Sequence, residues 1–278
     1  MELNNGILDL KLTNKGGEMA SLTYKGKDIL YKGDGEYWSG KNPTLFPMIS
    51  SPNTKQYTLD GITHPCRNHG LIRYATLQTI KDSNEEVIMR LSANDETLKE
   101  YPFNFEYNIT YKLDGNKVLI KYDITNKDNK VMPFTFGLHP GFIVNDFDNI
   151  YLSFKDDDVV TLFNQKDRTT SPYNLHDYSG KQFLDDLAKY DTVIFEDVKS
   201  KVVSLNTEDY VVDVDMSKFK YLALWTADPN AKYMCIEPWL SINNIKTATN
   251  PFDDCFELEH LNPDETFSID YYIEIKEK

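Results

Sequence analysis

Phe105-Glu106-Tyr107-Asn108-Ile109-Thr110-Tyr111-Lys112-Leu113 alternates apolar and polar side chains along its whole length. Successive side chains of an extended strand point to opposite faces, so this pattern reads as a strand with one buried face. Asp114-Gly115-Asn116 then supplies turn chemistry, and Lys117-Val118-Leu119-Ile120-Lys121-Tyr122-Asp123-Ile124 resumes as a strand, which predicts an antiparallel hairpin.

Outward from this hairpin the same period recurs. Strands are predicted at Ile7–Leu12, Met19–Tyr24, Thr76–Ile80, Glu86–Ala93, Val131–Leu138, Ile150–Phe154, Val202–Asn206, Val211–Asp215, Tyr221–Trp225, Tyr233–Glu237 and Thr266–Ile275. A helix is predicted at Gly180–Tyr190, where Phe183, Leu184, Leu187 and Ala188 recur at three- and four-residue spacing. Many strands without βαβ alternation point to an all-β, antiparallel two-sheet sandwich or barrel. No repeat, linker or composition shift divides residues 1–278, so one domain is expected.

The net charge of -14 would repel phosphate backbones and anionic membrane surfaces, so neither nucleic acid nor membrane is expected as a partner. Acidic runs such as Asp156-Asp157-Asp158 and Asp253-Asp254 read as solvated surface. Cys66, Cys235 and Cys255 are too widely spaced for a disulfide framework or a CxxC metal motif. With no basic-then-apolar leader and no long apolar stretch, a cytoplasmic location is expected.

Two apolar runs end alike. Phe134-Thr135-Phe136-Gly137-Leu138-His139-Pro140-Gly141-Phe142 presents a histidine before a proline, and Tyr233-Met234-Cys235-Ile236-Glu237-Pro238-Trp239 presents a carboxylate before one. Read singly, His139 fits a core histidine satisfied by carbonyls, and Glu237 fits a strand-end salt bridge. Together they form a candidate acid–base pair at strand ends. Trp239 shares the face of Glu237 if the strand continues past Pro238.

Pro65-Cys66-Arg67-Asn68-His69-Gly70-Leu71-Ile72-Arg73 gathers hydrogen-bond donors around one glycine and holds two of the four arginines. His64 and His176 read as surface histidines and His260 as an exposed strand position. Dinucleotide, P-loop, serine-hydrolase and zincin motifs are absent, and histidine spacing gives no sign of a metal centre, so neither cofactor nor metal is expected.

In order and spacing, a series of segments resembles the aldose 1-epimerase (galactose mutarotase-like) superfamily, in its shorter bacterial mutarotase-related branch. They are Lys15–Leu22, Tyr37–Gly40, Leu45–Pro47, His69–Arg73, Thr125–Lys127, Gly137–Phe142, Cys235–Trp239 and Leu261–Glu265. The resemblance implies a large antiparallel β-supersandwich and interconversion of α and β anomers of a free hexose such as galactose or glucose. It implies Glu237 as general base and His139 as general acid, with His69, Arg73 and Trp239 binding sugar, in a monomer or homodimer. The acid must start protonated and the base ionised, and their mutual attraction is expected to keep both charged.

Relatives of this branch commonly read Leu-Phe-Pro-x-x-Gly-Arg, whereas here the arginine position holds Ser51; Ser241 and Asn244 stand where relatives place a glycine and an aspartate. Two alternatives stay open beside the free-hexose reading. A hexose 6-phosphate would call on Arg67 and Arg73 with Lys232 as a third cation, and a catalytically silent carbohydrate-binding protein of the same fold is the other.

Overall fold

The hairpin read from Phe105 onward lies inside the largest sheet. In the computed structural model Phe105–Asp114 pairs with Lys117–Asn126 over ten residues, from Phe105 opposite Asn126 to Asp114 opposite Lys117. The residues described are 1–33, 36–52, 54–175, 178–243, 255–256 and 258–278; His176 and Asn244 lie outside them.

Nine antiparallel strands form this sheet, in the order Tyr178–Ser179, Tyr151–Phe154, Val202–Asn206, Tyr210–Asp215, Thr266–Glu277, Lys117–Asn126, Phe105–Asp114, Glu86–Ser92 and Gln78–Asp82. A second antiparallel sheet runs Thr169–Asn174, Val159–Asn164, Val193–Glu196, Tyr221–Trp225, Tyr233–Trp239, Gly137–Leu138 and Thr44–Leu45, with Gly141–Ile143 also paired to Tyr233–Trp239. Apolar side chains of both sheets meet in one core: Tyr122 of the first lies 5.1 Å from Phe136, and Phe154 lies 6.3 Å from Phe195 of the second. Of the antiparallel sandwich or barrel expected from the alternation, the fold observed is the large sandwich that the resemblance implies.

The strand Tyr233–Trp239 is buried on both faces. Alternation sends Met234 and Ile236 into the sandwich core and leaves Tyr233, Cys235, Glu237 and Trp239 on the opposite face. That second face carries the candidate site.

The helix Gly180–Tyr190 forms where its spacing placed it, started by the Ser179 side chain accepting from the Gln182 N–H. Several boundaries differ. Val131–Leu138 is two strands: Met132–Phe134 pairs with Glu259–Leu261, and Gly137–Leu138 pairs with Tyr233–Trp239. The break falls at Thr135, whose N–H donates to the Pro47 carbonyl at 2.8 Å and whose hydroxyl accepts the Ile49 N–H at 2.9 Å. Polarity at Thr135 therefore serves the crossing between sheets. His64 is buried rather than on the surface, its Nδ1 lying 3.1 Å from the Lys99 carbonyl.

Candidate active site

His139 directly follows the short strand Gly137–Leu138, as expected, whereas Glu237 sits inside a strand rather than at its end. The chain passes from Gly137–Leu138 through His139-Pro140 into Gly141–Ile143 without leaving the neighbouring strand, and Glu237 lies inside Tyr233–Trp239. Gly137 is opposite Trp239 and Gly141 opposite Cys235, so the same register puts His139 opposite Glu237. The Ile236 N–H donates to the Pro140 carbonyl at 3.1 Å and holds that register through the proline.

The glycines flanking His139 make room for tryptophans. A Cβ on Gly137 would fall 2.7 Å from Cδ1 of Trp239, and one on Gly141 would fall 3.0 Å from Cζ3 of Trp38. Trp38 stacks on the His139 ring at 4.8 Å, with Trp225 edge-on at 5.5 Å. The imidazole is boxed by aromatic surface.

His139 Nε2 lies 3.4 Å from Glu237 Oε1, and the two residues are only 5% and 1% exposed. On the other flank of Glu237 stands Ala223, which offers no polar group. His139 Nδ1 and Glu237 Oε2 are both buried without a hydrogen-bond partner. A buried polar atom left unpaired is destabilising by about 1–3 kcal/mol, so both atoms would gain from a hydrogen bond to a polar group entering the cavity.

Burial disfavours charge on both members. It pushes His139 well below the ordinary histidine range, with His69 and Arg73 acting in the same direction. It lifts Glu237 well above the ordinary carboxylate range, opposed by the Trp239 indole and the Arg73 guanidinium. The indole N–H is oriented to favour the carboxylate but makes no hydrogen bond of standard geometry. The expectation that mutual attraction keeps both groups charged is thus reversed, because desolvation outweighs one ion pair. Burial thus favours the uncharged form of each.

The donor-rich loop reaches the same cavity. Gly70 has φ +75°, and a Cβ there would stand 2.1 Å from the Phe46 carbonyl oxygen, so only glycine fits this crossing. The Leu71 N–H donates to that carbonyl at 2.9 Å, and the next turn, Ile72–Tyr74, presents Arg73. His69 Nδ1 accepts the Ser50 N–H at 3.1 Å, which leaves Nε2 carrying the ring proton. Burial, Arg73 and Lys55 push His69 down to about 3, so it is a neutral donor, edge-on to His139 at 5.5 Å.

One cavity of about 450 Å³ is lined by His139, Glu237, His69, Arg73 and Trp239 together. All five sequence candidates therefore converge. Sequence reasoning did not assign roles to Trp38 and Trp225, nor to the opposite wall of Gln165, Lys166 and the helix end at Tyr190–Thr192. Gly40 was a usable signal for Trp38, since a Cβ there would overlap its indole at 2.5 Å. Nothing in the local sequence of the opposite wall marks it.

The other cations go elsewhere. Arg67 pairs with Glu100 and covers the Tyr74 ring at 4.3 Å, and Lys232 donates to the Asn145 carbonyl at 2.7 Å. Ser51 is buried, and its hydroxyl accepts from Lys55 Nζ at 2.7 Å, so an ammonium stands beside the position of the absent arginine.

The sequence model of the aldose 1-epimerase family matches residues 1–271. The protein LacX, chromosomal, of Lactococcus lactis subsp. lactis is 26% identical over 307 aligned positions that cover 99% of each chain. Among solved structures, a galactose mutarotase related enzyme from Lactobacillus acidophilus superposes with a TM-score of 0.87 at 25% identity, covering 100% of this chain and 97% of that one. A galactose mutarotase-like protein from Lactobacillus casei gives 0.85 at 23%, with 99% of each chain covered.

Proposed function

This chain belongs to the aldose 1-epimerase family, and from that premise we propose that it is a mutarotase, a single domain over residues 1–278 that interconverts the α and β anomers of a free hexose such as galactose or glucose. The observation that carries this reading is the pair itself. His139 and Glu237 come from distant parts of the chain to within 3.4 Å, facing one cavity that also receives His69 and Arg73.

Ring opening needs a proton delivered to the ring oxygen and another taken from the C1 hydroxyl. In the reacting complex the shared proton resides on His139 and Glu237 is ionised; Arg73, the Trp239 indole and a sugar hydroxyl donating to the carboxylate all favour the ionised Glu237. His139 protonates the ring oxygen as the C1–O5 bond breaks, Glu237 takes the O1 proton, and the C1 carbonyl forms. The pair is then neutral on both sides, the state burial prefers. Rotation about C1–C2 and the reverse transfers close the other anomer.

The directions of the two shifts suit the roles. A histidine pushed down is a stronger acid and a carboxylate pushed up is a stronger base, so burial favours both transfers. Binding of a phosphorylated hexose has less support: of the three cations considered for it, Arg73 lines the cavity while Arg67 and Lys232 are engaged elsewhere.

Polarimetry or NMR exchange spectroscopy on a panel of α-aldoses tests the reading. Acceleration over buffer for a free hexose is the expected result. No acceleration for any sugar, with sugar binding retained, would leave the silent binding protein; a response confined to phosphorylated sugars would replace the free hexose.

A further inference from the structure

Ring opening leaves Cys235 unused. Strand alternation puts it on the same face as Glu237, and its partner across the sheet is Gly141, where a Cβ would stand 3.4 Å from the thiol sulfur. One donor atom from each of His139, Cys235 and Glu237 lies within 4.8 Å of the other two, and all three residues are buried. His139 Nδ1 and Glu237 Oε2 have no partner.

We propose that His139, Cys235 and Glu237 form a binding site for a thiophilic divalent cation of the zinc type, and that its occupation blocks the acid–base pair. Imidazole, thiolate and carboxylate are the three donor classes zinc takes, at roughly 2.0–2.3 Å. Donor atoms around a tetrahedral ion at those lengths stand about 3.3–3.8 Å apart. The 3.4 Å separation of His139 Nε2 and Glu237 Oε1 already meets that geometry, and the sulfur needs a shift of at most about 1 Å. Three protein donors leave the fourth position to water or substrate from the cavity.

Charge balance favours the ion. A lone thiolate or carboxylate in this aromatic box is disfavoured, whereas one divalent cation with one thiolate and one carboxylate sums to zero. As the metal–sulfur and metal–oxygen bonds form, the thiol proton and the proton held by the pair leave for solvent, with no change in oxidation state. Magnesium and calcium, which take all-oxygen shells, are excluded by the imidazole and thiol. With an ion bound, the nitrogen and oxygen that would exchange protons with a sugar are occupied. The block on turnover rests on the mutarotase reading; the binding site does not.

The experiment is a titration of Co2+, as a spectroscopic stand-in for zinc, into the Cys66→Ser/Cys255→Ser protein, in which Cys235 is the one remaining thiol. One equivalent of cobalt should develop tetrahedral d–d bands with a thiolate-to-metal charge-transfer band, and zinc should displace it. In the intact chain, zinc affinity measured by competition with a chromophoric chelator should fall at least ~10-fold on Cys235→Ala and on Glu237→Gln. Absence of the thiolate band, or unchanged zinc affinity in either folded variant, overturns the site. If zinc binds with these signatures and the metal-free protein turns over no sugar, the metal site stands and the mutarotase reading fails.

Discussion

His139 stands opposite Glu237 across an antiparallel pairing that runs from Gly137 against Trp239 to Gly141 against Cys235. Their 3.4 Å approach is therefore a property of backbone register, held on both sides by ladder contacts, and does not depend on a flexible loop.

Glu237→Gln and His139→Asn each keep the shape of the site while removing a proton carrier. Each should lower the mutarotation rate by roughly 10²–10⁴-fold. Thermal unfolding should show both variants folded. Polarimetry that finds Glu237→Gln as fast as the parent would remove Glu237 from the reaction.

The contribution of His139, Glu237 and His69 to the stability of the metal-free protein should be greatest near pH 6.5. Below about 4.5 the unfolded chain protonates both Glu237 and His139 while the native pair holds one proton, so stability falls as pH drops; between 4.5 and 6.5 the pair cancels. His69, pushed down to about 3, stays neutral in the native state, so stability also falls with pH from 6.5 downward. Above 6.5 the native pair keeps a proton that the unfolded chain has lost, and stability declines toward the raised value of Glu237. Calorimetry across pH 4–9 with chelator present checks this; a midpoint still rising past pH 8 would contradict the raised carboxyl.

Arg73 and Arg67 lie close in sequence and should behave differently. Arg73 lines the cavity with no salt bridge among the described residues, whereas Arg67 is committed to Glu100. Arg73→Ala should reduce kcat/KM by about 10- to 100-fold, the worth of a charge-assisted hydrogen bond, and Arg67→Ala should leave it near the parent value. Progress curves over a range of hexose concentrations distinguish the two.

Gly70→Ala should be the most damaging glycine substitution at the site. It adds a Cβ 2.1 Å from a backbone oxygen at φ +75°, and the strain plus overlap should lower stability by about 3 kcal/mol or more. Gly137→Ala meets the Trp239 side chain at 2.7 Å and should cost about 1–3 kcal/mol while displacing the indole. Gly26→Ala, at φ +82° but facing open space, is the control for backbone strain alone. Chemical denaturation of the three variants gives the ranking.

Asn126 ties down the strand end after the hairpin Phe105–Asn126. Its Nδ2 donates to the Lys130 and Leu261 carbonyls at 2.8 and 2.9 Å, and its Oδ1 accepts the Asp128 N–H at 2.8 Å, all with the residue fully buried. Asn126→Ala should lower stability by about 2–4 kcal/mol through the unpaired carbonyls and the lost turn. Equilibrium denaturation is the check, with kcat expected to change little.

Where a face alternates over many residues, sequence was enough. Phe105–Asp114 and Lys117–Asn126 carry that period, and their pairing follows from the turn between them. Val193–Glu196 and the hairpin of Gln56–Leu59 with Ile62–Pro65 escaped reading because they are short and either buried on both faces or largely exposed. In each case the period carries little information. His64 went unnoticed as a buried residue because its partner, the Lys99 carbonyl, belongs to the helix Asp95–Glu100, distant in sequence.

Sequence by itself determined the fold class, the family and the five residues that converge, since each rests on a local pattern or an ordered series of short segments. Tertiary structure alone decided their electrostatics. That Glu237 faces Ala223 on one side and His139 on the other, that Trp38 closes over the imidazole, and that Cys235 lies within reach of both depend on which strands pair and in what register. Desolvation is a sum over everything packed around a group. The preference of both groups for the uncharged form, with a thiol beside them, could therefore be read only once the two sheets had closed.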